Sequence, residues 1–342
     1  MQSKTTLHGS IRLFISLLLL FSFAPVQGQP PLATRSVFDY LTAQEGAALT
    51  LELDLTELIN KKNTNQYFPG IITTADGNIL KMEARPRGKF RRKICEMPPV
   101  KLKFSKKELR ANGLDTLNEI KLVVPCMDDP NGEELVLREY VAYQMFERIN
   151  PEYSVRARLV KVAFRDRHVE QTRRLVWCLL IEHEEQVAAR LRGKIMENYN
   201  MPSDSLCTEQ VALNAMFQYM IGNTDWDLST FRNVYLLKPA QGGKIGPVPF
   251  DFDFSGLVSA PYASANATTG LKNVQERLLV SGDLSAAALR TAAAQIQAVK
   301  ADLLVLCNQT FLSKNTSKDL NRYIESYFAT PEAKAEPVVK LR

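Results

Sequence analysis

Between Gly222 and Gly256 the chain reads GNTDWDLSTFRNVYLLKPAQGGKIGPVPFDFDFSG. Asp225, Asn233, Asp251 and Asp253, all within this one stretch, are the candidate oxygen donors. Trp226, Phe250, Phe252 and Phe254 stand among them. Carboxylates set amid aromatic rings need a cation or a proton to offset their loss of water. Oxygen ligands of this kind suit Mg²⁺, which takes one or two carboxylates and completes its shell with phosphate oxygens. The chemistry expected is a metal–phosphate site. Asp251 and Asp253, read as alternate residues of a strand, would face the same metal.

The elements that must position these groups come on both sides. A helix expected over Leu206–Ile221, with Ser205 as its N-cap and Gly222 as its C-cap, delivers Asn223-Thr224-Asp225 onto a loop. A strand, Asn233 to Leu237, and a turn at Gly242-Gly243 lead to the second acidic pair. Upstream, alternation predicts strands at Leu49–Leu55, Phe68–Thr74, Ile79–Arg85, Val100–Phe104 and Ile120–Val124. Asp76-Gly77 marks a hairpin between the second and third of these. An amphipathic helix, Glu133–Ile149, follows a turn rich in Asp, Pro and Gly. Arg158–Phe164 and Arg174–Ile181 read as a strand pair closed by Glu182, and Ala188–Asn198 as a short helix. Leu284–Cys307 and Ser317–Phe328 carry helical apolar stripes. The chain therefore divides into a leader over 1–28, a β-rich lobe with one long helix over 29–182, and a mainly helical lobe over 183–342 that carries the acidic segment. The fold class expected is α+β.

The first 28 residues have the pattern of a secretory signal peptide: Lys4 and Arg12, then an apolar run from Leu13 to Ala24, too short to span a bilayer. Export is expected, to periplasm, cell surface or medium, with no membrane span after cleavage. The net charge of +6 is too mild to imply nucleic acid. The basic residues do cluster, from Lys81 to Lys93. Five cysteines in an exported chain permit disulfides. Cys95 and Cys126 flank two predicted strands and are the preferred pair; Cys207 and Cys307 are a further possible pair, and Cys178 reads as buried. His168 and His183 lack the spacing of a zinc site.

With these parts in order, the chain resembles the spore-coat protein H (CotH) kinase family. The stretches that carry the resemblance are Arg87-Gly88 before a strand ending KLKF, the helix LREYVAYQMFERI, Leu180-Ile181-Glu182, the NTDW…N segment and PFDFDFSG, which together cover most of residues 80–260. It is most similar to a secreted branch with C-x-x-PP and KLVV-x-C strands. The resemblance implies an atypical protein-kinase-like two-lobe fold. It also implies a phosphotransferase that uses ATP with Mg²⁺ (or Mn²⁺) and moves the γ-phosphate to Ser or Thr of a protein. Carried over, Asp225 is the aspartate that accepts the hydroxyl proton. Asn233 and Asp251 hold metal, and Asp253, the next acidic position, binds metal or the backbone. Glu182 falls at the inter-lobe connection, and Glu139 is placed to pair with a phosphate-binding lysine. The family's lysine pair is replaced by Met97-Pro98 here, so Lys121 is the first substitute and Lys101 or Lys103 the second. The gap from Asp225 to Asn233 also exceeds the D-x4-N of ordinary kinases.

Two other readings remain open. One is a catalytically inactive kinase fold used as a binding or envelope-assembly protein. The other is a metal-dependent glycosyltransferase using Asp251-x-Asp253. The oligomeric state and the substrate's identity are not written in the sequence.

Overall fold

The computed structural model describes residues 1–2, 35–197 and 202–334, so the expected leader beyond its first two residues lies outside the described residues. Alternating apolar residues build β1 (Ala47–Leu53), β2 (Phe68–Thr74), β3 (Ile79–Pro86), β4 (Val100–Phe104), β5 (Glu119–Val123), β6 (Ala157–Asp166) and β8 (Val176–Glu182). Their order is β1-β2-β3-β4-β5-β8-β6, and β6 pairs in parallel with β1. The sheet therefore closes into a seven-stranded barrel, while β7 (Gln171–Thr172) extends β6. Every other pairing in the ring is antiparallel. A β-rich N-terminal segment was expected; its closure by a parallel strand pair was not. Leu51, Ile72, Leu102, Ile120, Val162, Cys178 and Leu180 belong to the core that this segment buries. Lys101 and Lys121 are register partners on β4 and β5.

Short helices α1 (Val37–Leu41), α2 (Leu55–Asn60), α3 (Arg91–Ile94) and α4 (Lys106–Ala111) decorate the barrel. The long helix α5 (Pro130–Ile149) starts where the Asp129 side chain accepts from Gly132 N at 2.8 Å and Pro130 takes the first turn. Its apolar face, including Val141, Met145 and Phe146, enters a second core. That core also takes α7 (Thr208–Ile221), α8 (Ala286–Ala298), α9 (Lys300–Leu306) and α10 (Lys314–Phe328). Residues Arg35–Arg342 form one compact unit, with α5 contacting both β8 and α9.

The chain from 184 onward departs from expectation in five places, one being that α7 is preceded by Cys207 at its N-cap and not by Ser205. Helix α6 spans Glu184–Arg190, not 188–198, and β9 (Gly193–Ile195) follows. Arg192 turns at φ 48°, and a Cβ at Gly193 would stand 2.8 Å from Leu237 Cδ1, so the chain leaves the helix to pair with β10 (Val234–Pro239). Strand β11 (Gly246–Pro249) completes a three-stranded sheet and ends before Asp251. Asp251 adopts φ 64°, so Asp251 and Asp253 are not alternate residues of one strand. The expected helix over 284–307 breaks at Val299, which lies between α8 and α9. Cys95 and Cys126 are bonded, whereas Cys207 and Cys307 are free, Cys307 being buried within the second core.

Candidate functional site

Helix α7 is apolar around most of its circumference and is buried from Ala212 to Ile221. Gly222 ends it at φ 65°, the left-handed C-cap expected of glycine. The next residues place Asp225, whose N–H donates to Asn223 Oδ1 at 2.9 Å. Asn233 sits at the foot of β10, and its Nδ2 donates to Asp225 O at 2.8 Å and to Asp225 Oδ2 at 2.9 Å. Arg232 Nε stands 3.4 Å from Asp225 Oδ1. Burial raises the Asp225 carboxyl above its ordinary value; Arg232 opposes this and the nearby Asp251 charge adds to it.

Asp251 follows β11. Its N–H donates to Tyr143 Oη at 2.8 Å, while its carboxylate, which is half-buried, takes no hydrogen bond or ion pair among the described residues. Phe252, fully buried, packs between Tyr143 (4.7 Å) and Phe217 (5.4 Å) and fixes this turn. Asp253 is 4 % exposed; it accepts from Tyr262 Oη at 3.2 Å and lies 3.8 Å from Arg91 Nη1. Burial, with Asp251 beside it, pushes its carboxyl well up.

Arg91 is a central residue that sequence reasoning missed. Its Nη1 meets Glu139 Oε2 at 3.3 Å and its Nη2 donates to Val124 O at 2.9 Å. Glu139 was expected to pair with a lysine; it pairs with this arginine. Glu139 is 2 % exposed, and burial lifts its carboxyl to about 7, with Arg91 pulling it down and Asp251 pushing it up. Arg91 Nε and Glu139 Oε1 have no partner among the described residues. The basic run containing Arg91 was visible in the sequence; nothing local distinguished it from Arg92 or Lys93.

Lys121 sits nearby in a different network. Its Nζ is 2.9 Å from Glu184 Oε2, donates to Tyr235 Oη, and lies over the Tyr235 and Phe250 rings, which stack at 4.2 Å. Burial lowers its ammonium to about 8, with Glu184 opposing. Glu184, held down to about 2 against the burial that would raise it, came into place because α6 begins earlier than expected. Lys101 bonds Glu119 at 2.6 Å and touches His183 Nε2 at 3.0 Å. Burial drives His183 down to about 4, so its ring is neutral. Lys103 lies over the Tyr67 ring at 5.4 Å, one step further along β4. Glu182 is fully buried between Arg156 (2.7 Å) and Arg190 (2.8 Å) and contacts none of the other candidate residues.

The structure thus draws Asp225, Asn233 and Asp251 into one electrostatic group, with Asp253, Glu139 and Arg91 behind them. Lys121 forms a neighbouring group linked through Tyr235 and Phe250. Lys103 and Glu182 stay apart. A cavity of about 330 Å³ opens at Asp225, walled by Arg232, Phe254, Leu271 and Val274. Among the described residues no three His, Cys, Asp or Glu side chains converge as a metal cage. The donor set is instead one unpaired carboxylate, Asp251, a second carboxylate, Asp225, and Asn233 Oδ1, which accepts no hydrogen bond. Hard oxygen donors of this number fit a cation that draws its other ligands from phosphate.

No family model and no curated protein matches the chain. Among solved structures it is similar to the crystal structure of a Helicobacter pylori proinflammatory kinase, CtkA. The identity is 8 %, the alignment covers 69 % of this chain and 92 % of that chain, and the TM-score is 0.40. A likeness at this TM-score carries no argument, and none of these comparisons extends the CotH resemblance.

Proposed function

We propose that this protein is an exported, kinase-like phosphotransferase that uses ATP with Mg²⁺ or Mn²⁺ and acts on Ser or Thr of a protein. The observation that supports it best is the Asp251 carboxylate. It is half-buried, unpaired, and close enough to Asp225, Asp253 and Glu139 to push all three upward. Such an excess of negative charge calls for cationic company beyond Arg91. Asp251 and Asn233 would hold the divalent cation, which when bound neutralises phosphate charge during transfer. Asp225 takes the proton of the acceptor hydroxyl. Its raised affinity for a proton favours this role, and the Asn233 amide holds the carboxylate in place. The Arg91–Glu139 pair keeps a guanidinium behind the acidic turn, and the oxidised Cys95–Cys126 pair accords with export.

One observation favours the second reading, an inactive kinase fold that binds a partner. Lys121, the first lysine candidate, is already engaged by Glu184 and Tyr235. The glycosyltransferase reading is weakened because Asp253 is taken by Arg91 and Tyr262 and does not share a strand face with Asp251.

Thermal melting with ATP, with Mg²⁺ or Mn²⁺, and with both decides between these readings, because a ligand bound only by the native state raises its stability. The expected result is a shift that needs metal and nucleotide together and is lost in Asp251→Asn, a substitution that tolerates the left-handed backbone. Phosphate transfer then disappears in Asp225→Asn. A well-folded protein with no shift for any nucleotide overturns the kinase reading, and a shift with a sugar nucleotide alone favours the third.

A further inference from the structure

Seven residues separate Asp225 from Asn233, and they form a turn bonded to itself. Asp227 and Arg232 exchange two backbone hydrogen bonds of 3.0 Å, and the Asp227 carboxylate accepts from Ser229 N (2.7 Å) and Thr230 N (2.9 Å). The residues in excess of an ordinary kinase spacing therefore build a fixed wall. On one side of it lies a groove of about 540 Å³, bounded also by the start of α7 and by the Val280–Leu284 segment. Leu206, Val211, Trp226, Leu228 and Leu284 give it apolar walls, and Val280 is 40 % exposed at its edge. Asp204, Asp227 and Asp283 are its charged residues, and among the described residues no Lys or Arg lines it, in a chain whose net charge is +6. Trp226, only 8 % exposed, lines the groove.

We propose that this groove binds an extended peptide segment bearing a bulky apolar side chain next to Lys or Arg. The apolar side chain enters the Trp226 floor and the cation meets Asp283 and Asp204. The groove begins at the residue after Asp225, and an extended chain advances roughly 3.3 Å per residue. The segment is accordingly a docking element close in sequence to the Ser or Thr acceptor. Its role as substrate rests on the kinase-like reading; its binding does not.

The test is fluorescence anisotropy on the full chain, without nucleotide, using a short labelled peptide in which Leu and Arg alternate around one Ser. A second peptide carries Glu for each Arg. Saturable binding is expected, weakened about tenfold or more by the Glu peptide and by Asp283→Lys, and weakened by Val280→Asp. Equal affinity for both peptides, or unchanged affinity in both variants at unchanged melting temperature, overturns the proposal. Should either variant fail to fold, tryptophan fluorescence of the unmutated protein gives the same answer: a saturating peptide must change it, and no change overturns the groove. The ATP–metal melting shift separates the two readings. A shift without peptide binding sinks the groove alone, and peptide binding without a shift sinks the kinase reading alone.

Discussion

Replacing Glu139 by Gln removes a charge from the second core while keeping the side chain's shape. Glu139 is 2 % exposed and its carboxyl titrates at about 7 in the native state, against 4.5 unperturbed, chiefly through burial. Below pH 4.5 both folded and unfolded states hold the proton, and the native preference costs nothing. Between 4.5 and 7 the folded state keeps a proton that the unfolded chain has released, so stability falls as pH rises. Above 7 both are ionised and the penalty is constant. A shift of this size corresponds to about 3 kcal/mol, since one pKa unit is about 1.4 kcal/mol. The expected outcome is that Glu139→Gln gains on the wild type by about 3 kcal/mol between pH 5 and pH 8. Urea unfolding of both proteins at unit pH intervals measures this, because most other titrating groups cancel in the difference. A difference that stays flat across this range, or that grows toward low pH, refutes the reasoning and means that Arg91 fully compensates the buried charge.

The same logic has the opposite sign for Lys121. Its native value of about 8, set by burial, lies below the usual 10.5, so wild type gains on Lys121→Met as pH rises from 8 to 10.5, by about 3 kcal/mol in urea unfolding. Opening the Cys95–Cys126 bond with paired serines costs about 3–4 kcal/mol for a separation of 31 residues, read as a fall in the denaturant midpoint. It also loosens Arg91, whose carbonyl accepts from Cys95 N at 2.9 Å, so the ATP–metal shift shrinks if the kinase reading holds. Glu182→Ala leaves Arg156 and Arg190 without their buried partner and costs about 3–5 kcal/mol, with no effect on nucleotide affinity in protein that remains folded.

Strands and long helices were legible because their signals are local. The alternation in Val100–Phe104 and the Asp76-Gly77 hairpin each depend on a handful of neighbours, and the structure has both. The disulfide was legible because Cys95 and Cys126 flank adjacent strands. Helix α6 was displaced because β9 competes for the residues after Arg190, and that competition depends on β10, some forty residues downstream in chain order.

The sequence by itself determined which segments alternate, where Gly222 stops α7, and that the acidic residues of the 222–256 stretch stand amid aromatic rings. Tertiary structure alone decided the barrel's closure, since Leu49 meets Val162 across a separation that no local pattern encodes. It also decided charge partners: Glu139 takes Arg91 rather than a lysine, Lys121 takes Glu184, and Glu182 lies between two arginines. Residue type sets what a carboxylate can do, but its proton affinity depends on burial and on charges brought from distant segments, and these exist only once the chain has folded.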